Sequence, residues 1–495
     1  MRSLRPTPTA LLTVLLLLCL PQPAQPQEAA ERLLLEAERR EQEGDLASAL
    51  TDYEMVARQF PGTEVAGRAL LRLVEGKRSR GDLDGAIRAC NSLIDDYPGT
   101  TWAAAGLFYM GDMQLERARK RSETEEARET FRRIYVLFDP LTHPDLIYRA
   151  AARVRDAELD LRAGDTEGAE LSYLATLEGE PTSEWTMRAR LGLAGIYLER
   201  GDWMLAAETL QQAVNEAVDL GHSDVAEEAR IKLTLTHRLM LRPAAGVPRW
   251  QSSRAMRGIG LDRKPAGVAA TGDGRVVVTQ EYPGRAVLLE GDTVVTSRSY
   301  PEAYRPFFTR DDKAWVPSTT VLYEVEEGNR RTYLGPSRSP TKNIESGAEG
   351  VYQWFTIEAK PQRILTHRED SPVDREVPTR DPIDLATDSQ GRLYVLEEAS
   401  GSVVRFNPSL SASTRLISGG LTKPFALDVD PMGNVYVLEE SGRLQVFDTN
   451  GRKLDALGPG LPGGSTLGDP VDLAVDDTGR VFLLDAKPTA LYVLE

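Results

Sequence analysis

Few side chains in this 495-residue chain are of a type and spacing that could do chemistry. There are four histidines (His143, His222, His237 and His367) and two cysteines (Cys19 and Cys90). A multi-histidine zinc centre needs several imidazoles brought together. The C-terminal half contains only His367, so the count excludes such a centre there. Cys90 falls in an amphipathic helical pattern, where an inert buried thiol is expected. Carboxylates remain. Asp384 and Asp472 each stand two residues after a proline that opens an apolar run, and together their oxygens could hold a weak hard cation such as calcium. The plainer expectation is that they cap turns or sit in solvent. Asp388, Asp430 and Asp476 each recur six residues after a proline. Their repetition argues for turn chemistry, in which aspartate accepts from the next backbone amides. Gly458–Gly463 spells G-x-G-x-x-G, but its two prolines and the lack of a following helix exclude a nucleotide loop. There is no P-loop, zincin, Cys-x-x-Cys or nucleophile-elbow motif. No catalytic residue and no cofactor is expected.

These residues belong to a repeat. Pro382-Ile-Asp-Leu-Ala-Thr-Asp388-Ser-Gln-Gly391-Arg-Leu-Tyr-Val-Leu396 is echoed from Pro424 to Leu438 and from Pro470 to Leu484. Each copy reads as strand, tight Asp-x-x-Gly turn, strand. A weaker copy starts at Pro265, and worn copies start at Pro306 and near Asn343. Trp315 and Trp354 fall on the second strands of the worn copies, where core packing is expected. Six units of this length are small four-stranded sheets, which close into a six-bladed β-propeller. The last unit ends one strand short. Arg254–Gly260 precedes Pro265 much as Arg415–Gly419 precedes Pro424, so it is expected to supply the missing outer strand. That closure would hide two sheet edges. Glu439 and Arg443 are expected to pair within their blade.

The N-terminal half carries a different repeat. Gly44-Asp45, Gly81-Asp82, Gly164-Asp165 and Gly201-Asp202 each precede an alanine five residues after the glycine: Ala49, Ala86, Ala169 and Ala206. A fifth unit starts at Ser122 and keeps Ala127. Glycine permits a sharp turn, aspartate caps the next helix, alanine allows close helix approach, and a following proline ends the helix. Helix pairs of this kind cannot bury their apolar faces alone and must stack into an α-α solenoid. A last helix is expected over Asp224–Leu239. Trp102, Trp185 and Trp203 stand near helix starts. They are candidate partner-binding residues, because tryptophan is enriched in binding hot spots, with core packing as the commoner role.

Phe60-Pro-Gly-Thr63 and Tyr97-Pro-Gly-Thr100 make this half resemble the tetratricopeptide repeat (TPR) family, in a divergent form met in exported bacterial envelope proteins. The resemblance implies a groove that takes a peptide or helix. The Asn, Lys and Arg clamp of members that grip peptide C-termini is missing. Gly442-Arg-Leu-Gln-Val-Phe-Asp448-x-x-Gly451 resembles the back half of an NHL repeat, with Glu397, Glu439 and Asp485 where that family places an acid after the second strand. Relatives with such blades include metal-dependent lyases and lactonases. The resemblance therefore keeps open a calcium-dependent hydrolase sited in the channel as the alternative to a binding ring.

Arg2 and Arg5, an apolar run over Ala10–Leu20 and a Pro- and Gln-rich exit read as an export signal. A lipobox wants a small residue before Cys19, and Leu18 is not small, so lipidation is the lesser expectation. After removal of the signal only Cys90 remains, and export without disulfides suits a bacterial envelope. The net charge of −16 is shared by both halves, which excludes strong binding of a phosphate backbone. The expected organisation is a signal at 1–27, a TPR-like solenoid at 28–240, a linker at 241–252 and an NHL-like propeller at 253–495. The expected function is an exported, periplasmic or secreted, non-enzymatic scaffold. It would bind proteins or peptides, not nucleic acid, with peripheral attachment to an envelope allowed.

Overall fold

A computed structural model describes residues 26–118, 120–309, 312–318, 321–332, 344–346, 354–359, 362–368, 371–408 and 410–495. The expected signal and Cys19 therefore lie almost wholly outside the described residues. The chain forms two compact units, one ending at Ile196 and one beginning at Tyr197.

The first unit is a stack of helix pairs: α1 (Pro26–Gln42), α2 (Leu46–Gln59), α3 (Glu64–Ser79), α4 (Leu83–Asp96), α5 (Thr101–Arg117), α6 (Arg121–Leu137), α7 (Ile147–Ala163), α8 (Thr166–Gly179) and most of α9 (Glu184–Arg200). The repeated residues do the expected work except at Asp202, whose side chain makes no bond to the helix it precedes. Gly81 holds φ +76°, where a side chain would be strained. Asp45, Asp82 and Asp165 then accept from the backbone N–H of Ser48, Gly85 and Gly168 at 3.2, 2.9 and 2.9 Å. Ala49, Ala86, Ala127 and Ala169 are fully buried. Ser122 differs from expectation only in place, since it lies inside the first turn of α6. Among the described contacts, α1 packs on α3, α3 on α5 and α5 on α7, while α2, α4 and α6 contact chiefly the helices flanking them. The first helix of each pair therefore forms the closer-packed, inner side of the curve.

Among the described residues the second unit contains α10 (Trp203–Leu220), α11 (Ser223–Thr236), a five-residue π-helical turn (His237–Leu241) and twenty-four strands in six four-stranded sheets. The innermost strands are β2 (Pro265–Ala270), β6 (Phe307–Phe308), β10 (Ile344–Ser346), β14 (Pro382–Thr387), β18 (Pro424–Val429) and β22 (Pro470–Val475). Each touches the next, and β22 touches β2, so the ring is closed. The outermost are β5 (Thr293–Tyr300), β9 (Arg330–Thr332), β13 (Ser371–Pro378), β17 (Ser413–Ile417), β21 (Lys453–Leu457) and, for the last blade, β1 (Ser253–Arg257). β1 pairs antiparallel with β24 (Thr489–Leu494), from Ser253 opposite Leu494 to Arg257 opposite Ala490. This is the closure expected from the short last blade.

Leu235, Leu239, Met240 and Trp250 share one core with Tyr436, Leu473, Val481 and Tyr492 of the last two blades. The Trp250 indole donates to the Gly479 carbonyl at 3.0 Å. The final helices are thus seated on the ring's turn face.

Candidate functional site

On the inner side of the helical unit, charged and aromatic side chains alternate across successive helices. Tyr109 on α5 donates to Glu75 on α3 at 2.9 Å. Asp112 on α5 meets Arg78 on α3 at 3.4 Å and Arg155 on α7 at 2.9 Å. Arg155 also pairs with Glu158 at 2.9 Å. Its guanidinium lies 5.2 Å from the Trp185 ring centre and 6.0 Å from that of Phe108. Arg188 approaches the Trp185 ring at 5.9 Å. Trp185 meets Phe108 edge-on at 5.2 Å, and Tyr148 sits 5.8 Å from Phe108. Burial pushes the Tyr148 hydroxyl up to about 12 and that of Tyr109 higher, so both stay protonated donors at neutral pH. Trp185, Tyr148 and Tyr109 are only half-buried. An aromatic ring flanked by cations and still open to solvent is a surface that grips an apolar or aromatic side chain.

The three candidate tryptophans are not equivalent. Trp102 lies flat against Gly67, where a Cβ would stand 3.0 Å from three ring atoms, so its contact is internal packing. Trp203 packs, half-buried, against the ring-side core around Leu235 and Tyr436. Trp185 alone joins the aromatic and cationic cluster. Trp315 is buried with Phe307 and Leu322. Trp354 is on the second strand of its blade, β11 (Trp354–Ala359), and its side chain lies outside the described residues. Cys90 is fully buried and its thiol is pushed up to about 12 by desolvation, so it is unreactive at neutral pH.

At the hub of the ring the structure brings Asp384 and Asp472 together, with Arg305 between them. The Arg305 guanidinium pairs with Asp384, and its Nε lies 3.2 Å from Asp472. It also donates to the carbonyls of Leu427 and Leu473 at 3.0 and 3.3 Å. The carboxylates have a second task. Innermost strands of adjacent blades do not pair, so their backbone N–H groups need acceptors. Asp384 accepts from Leu427 at 2.6 Å, Asp428 from Val475 at 2.7 Å and Asp472 from Val268 at 2.9 Å. Each aspartate clamps the next blade. Burial pushes all three carboxyls upward against the opposing pull of Arg305, and Asp428 reaches about 6. The place where a small cation was envisaged is thus filled by a guanidinium of the chain itself. Among the described residues no group of three or more His, Cys, Asp or Glu side chains is arranged to hold a metal ion. His367 is buried within its blade, its Nε2 2.9 Å from the Thr356 hydroxyl.

The turn aspartates behave as their repetition implied. Asp388 accepts from the N–H of Gln390 and Arg392, Asp430 from Met432 and Asn434, and Asp476 from Thr478 and Arg480. Glu439 corrects the expected pair with Arg443. Its carboxylate is buried and taken by the Thr422 N–H at 2.8 Å and by Gln445 at 2.6 Å. Asp485 does the same for Gly468 and Asp469 at 2.7 Å each. In the first blade Gln280 replaces the acid and accepts from Asp262 and Arg263 at 3.1 Å. These side chains tie the loop that leads into each innermost strand.

Residues 68–100 match the tetratricopeptide repeat family model. That span runs from within α3 through α4 to Thr100. No curated protein sequence matches the chain. Among solved structures, virginiamycin B lyase from Staphylococcus aureus is 16% identical, with a TM-score of 0.36, over 49% of this chain and 87% of that one. A gluconolactonase from Xanthomonas campestris is 15% identical, with a TM-score of 0.39, over 49% and 89%. The WD40 propeller domain of Doa1 is 11% identical, with a TM-score of 0.36, over 50% and 97%. At such scores these likenesses say nothing of activity. The propeller assignment rests on the six sheets themselves.

Arg305, Asp428 and the Tyr109–Tyr148–Arg155 set were missed by reading the sequence. Arg305 immediately precedes Pro306 in a worn blade, and nothing in its local pattern points it into the hub. The helical set had one usable signal: Phe108, Tyr109, Tyr148 and Trp185 are aromatics on first helices of their pairs.

Proposed function

We propose that this chain is an exported, non-enzymatic interaction scaffold of a bacterial envelope. The inner face of the helical unit takes a helix or extended segment of one protein, and the ring takes a second. Two modules on one chain raise the effective concentration of one partner near the other. The observation that carries this reading is the half-exposed Trp185, flanked by Arg155 and Arg188 on the inner side of the helix stack. The occupation of the hub by Arg305 supports a ring that works by its surfaces rather than by chemistry in its channel. The basic and apolar N-terminal segment supports export.

The test is affinity purification of the full chain from an envelope fraction, wild type against Trp185→Ala. Loss of a hot-spot tryptophan costs about 2 kcal/mol or more of binding, so the main co-purifying protein should fall at least tenfold with an unchanged melting transition of the ring. Equal recovery by both proteins would remove the groove from the proposal.

A further inference from the structure

The six outer strands differ in how they guard their free edges. An exposed edge invites another strand, and charges or prolines normally discourage it. By sequence β1 carries Arg254 and Arg257, β9 carries Arg330 and Arg331, and β21 carries Lys453 and Asp455. β13 carries Pro372, Asp374, Arg375, Glu376 and Pro378, and the shorter β17 carries Arg415, which pairs with Glu397 at 3.3 Å while its side chain stays 41% exposed. β5 reads Thr-Val-Val-Thr-Ser-Arg-Ser-Tyr over eight residues. It has no proline, and its one charge, Arg298, is turned inward to donate to the Glu326 carbonyl of the next blade. Val294 and Val295 are 43% and 49% exposed. β5 ends its sheet, and no described strand pairs with its outer side.

Beside this strand lies a pocket of about 380 Å³, lined by Arg298, Ser299, Tyr300, Pro301, Tyr323 and Gly328. The Tyr300 and Tyr323 rings stand 5.0 Å apart. Arg298 has no carboxylate partner among the described residues, and its Nε and the Tyr300 hydroxyl are buried without a hydrogen-bond partner. Glu326 does not line the pocket but stands near it: its Oε1 faces Arg275 at 3.5 Å, and its Oε2 is buried without a hydrogen-bond partner, close enough to act on the Tyr300 hydroxyl. The pocket wall thus holds a cation, a phenol and two aromatic faces, with no anion.

We propose that β5 is a strand-addition site for an extended acidic segment of a partner protein. The segment pairs its backbone with the free edge of β5 and sets a Glu or Asp side chain against Arg298 and Tyr300. Backbone pairing supplies affinity and the pocket supplies choice of side chain. A second copy of this chain is the poorer occupant, because β5 has no Asp or Glu to set against the Arg298 of another copy. The site is separate from the helical groove and does not depend on it.

The probe is a fluorescein-labelled hexapeptide alternating valine and glutamate, titrated into the full chain by fluorescence anisotropy. Three comparisons go with it: the valine–lysine peptide, the glutamate peptide N-methylated at alternate amides, and Arg298→Ala. The expected result is binding of the glutamate peptide at least tenfold tighter than the lysine peptide. N-methylation and Arg298→Ala should each weaken it tenfold or more, and Trp185→Ala should leave it unchanged. Absence of binding by the glutamate peptide would overturn the proposal. So would equal binding of the N-methylated peptide, which would mean charge attraction without strand pairing. Dimerisation on sedimentation that Ser297→Glu abolishes would assign the edge to self-association instead. If Arg298→Ala does not fold, the N-methylated series still decides.

Discussion

The helical stack and the ring solve the same problem, repetition without an edge, in opposite ways. In the stack most contacts run between helices adjacent in the chain or in the next pair, and its turns are held by bonds three residues long, such as Asp82 to Gly85. In the ring the decisive contacts are remote. β1 closes on β24, and Arg305 reaches Asp384 and the Leu473 carbonyl from a different blade. Local stapling makes stability a sum of small, separable contributions. Remote closure makes it all-or-none. The difference also bears on function: the stack leaves aromatics half-exposed between its charges, whereas the ring buries its charges at the hub and offers an edge.

If closure is what unites the ring, deleting residues 250–262 removes β1 and Trp250 together and should abolish the ring's cooperative unfolding, followed by calorimetry on the otherwise full chain. A ring that still melts in one sharp transition would show that β1 is dispensable. The hub comes next in size. Arg305→Met leaves Asp384 and Asp472 buried without their counter-charge, which should cost about 3–5 kcal/mol. The triple variant Arg305→Met, Asp384→Asn, Asp472→Asn should recover much of that in denaturant titrations. No loss in the single variant would mean that Arg305 is a passenger.

The hub also sets a pH dependence that the stack should lack. The folded Asp428 carboxyl is raised to about 6 by burial, above its ordinary value of 3.8. Between those values the folded state keeps a proton that the unfolded state gives up, so stability falls as pH rises from about 4 to about 6. For this one carboxyl the whole loss across that window is on the order of 3 kcal/mol at most. Asp428→Asn can still accept from Val475, and it should flatten the pH profile of the ring's melting temperature over that window. An unaltered profile would place the dependence elsewhere. The smallest effects belong to the helix caps. Asp82→Ala should cost about 1 kcal/mol for a lost cap. Asp202→Ala should cost almost nothing, because Asp202 begins α10 without a side-chain bond to the helix. Equal losses would undo the reading of these turns.

Much of the architecture was legible because repeats report themselves several times over. The Gly-Asp turns, the buried alanines, the six blade starts and the donated strand near Arg254 could each be read from one copy and checked against others. Glu439 shows where local reading failed. Arg443 meets it through the backbone, its carbonyl accepting the Glu439 N–H at 3.0 Å, but the carboxylate goes to the Thr422 amide and Gln445. Asp384 and Asp472 were expected to cap turns or sit in solvent, with a weak cation site as the lesser reading, whereas the fold buries both around Arg305. Arg305 was invisible because a worn blade offers no template for its direction.

The order of residues, through period, turn chemistry and a missing strand, determined by itself that this protein is paired helices followed by six closed sheets. Folding alone decided which groups meet: a guanidinium among hub carboxylates, a tryptophan between two arginines, and an unguarded strand beside the Arg298 pocket. The reason is physical. Backbone periodicity acts over a few residues and leaves its mark on the sequence. Convergence of side chains from distant segments is set by packing, and packing leaves no local trace.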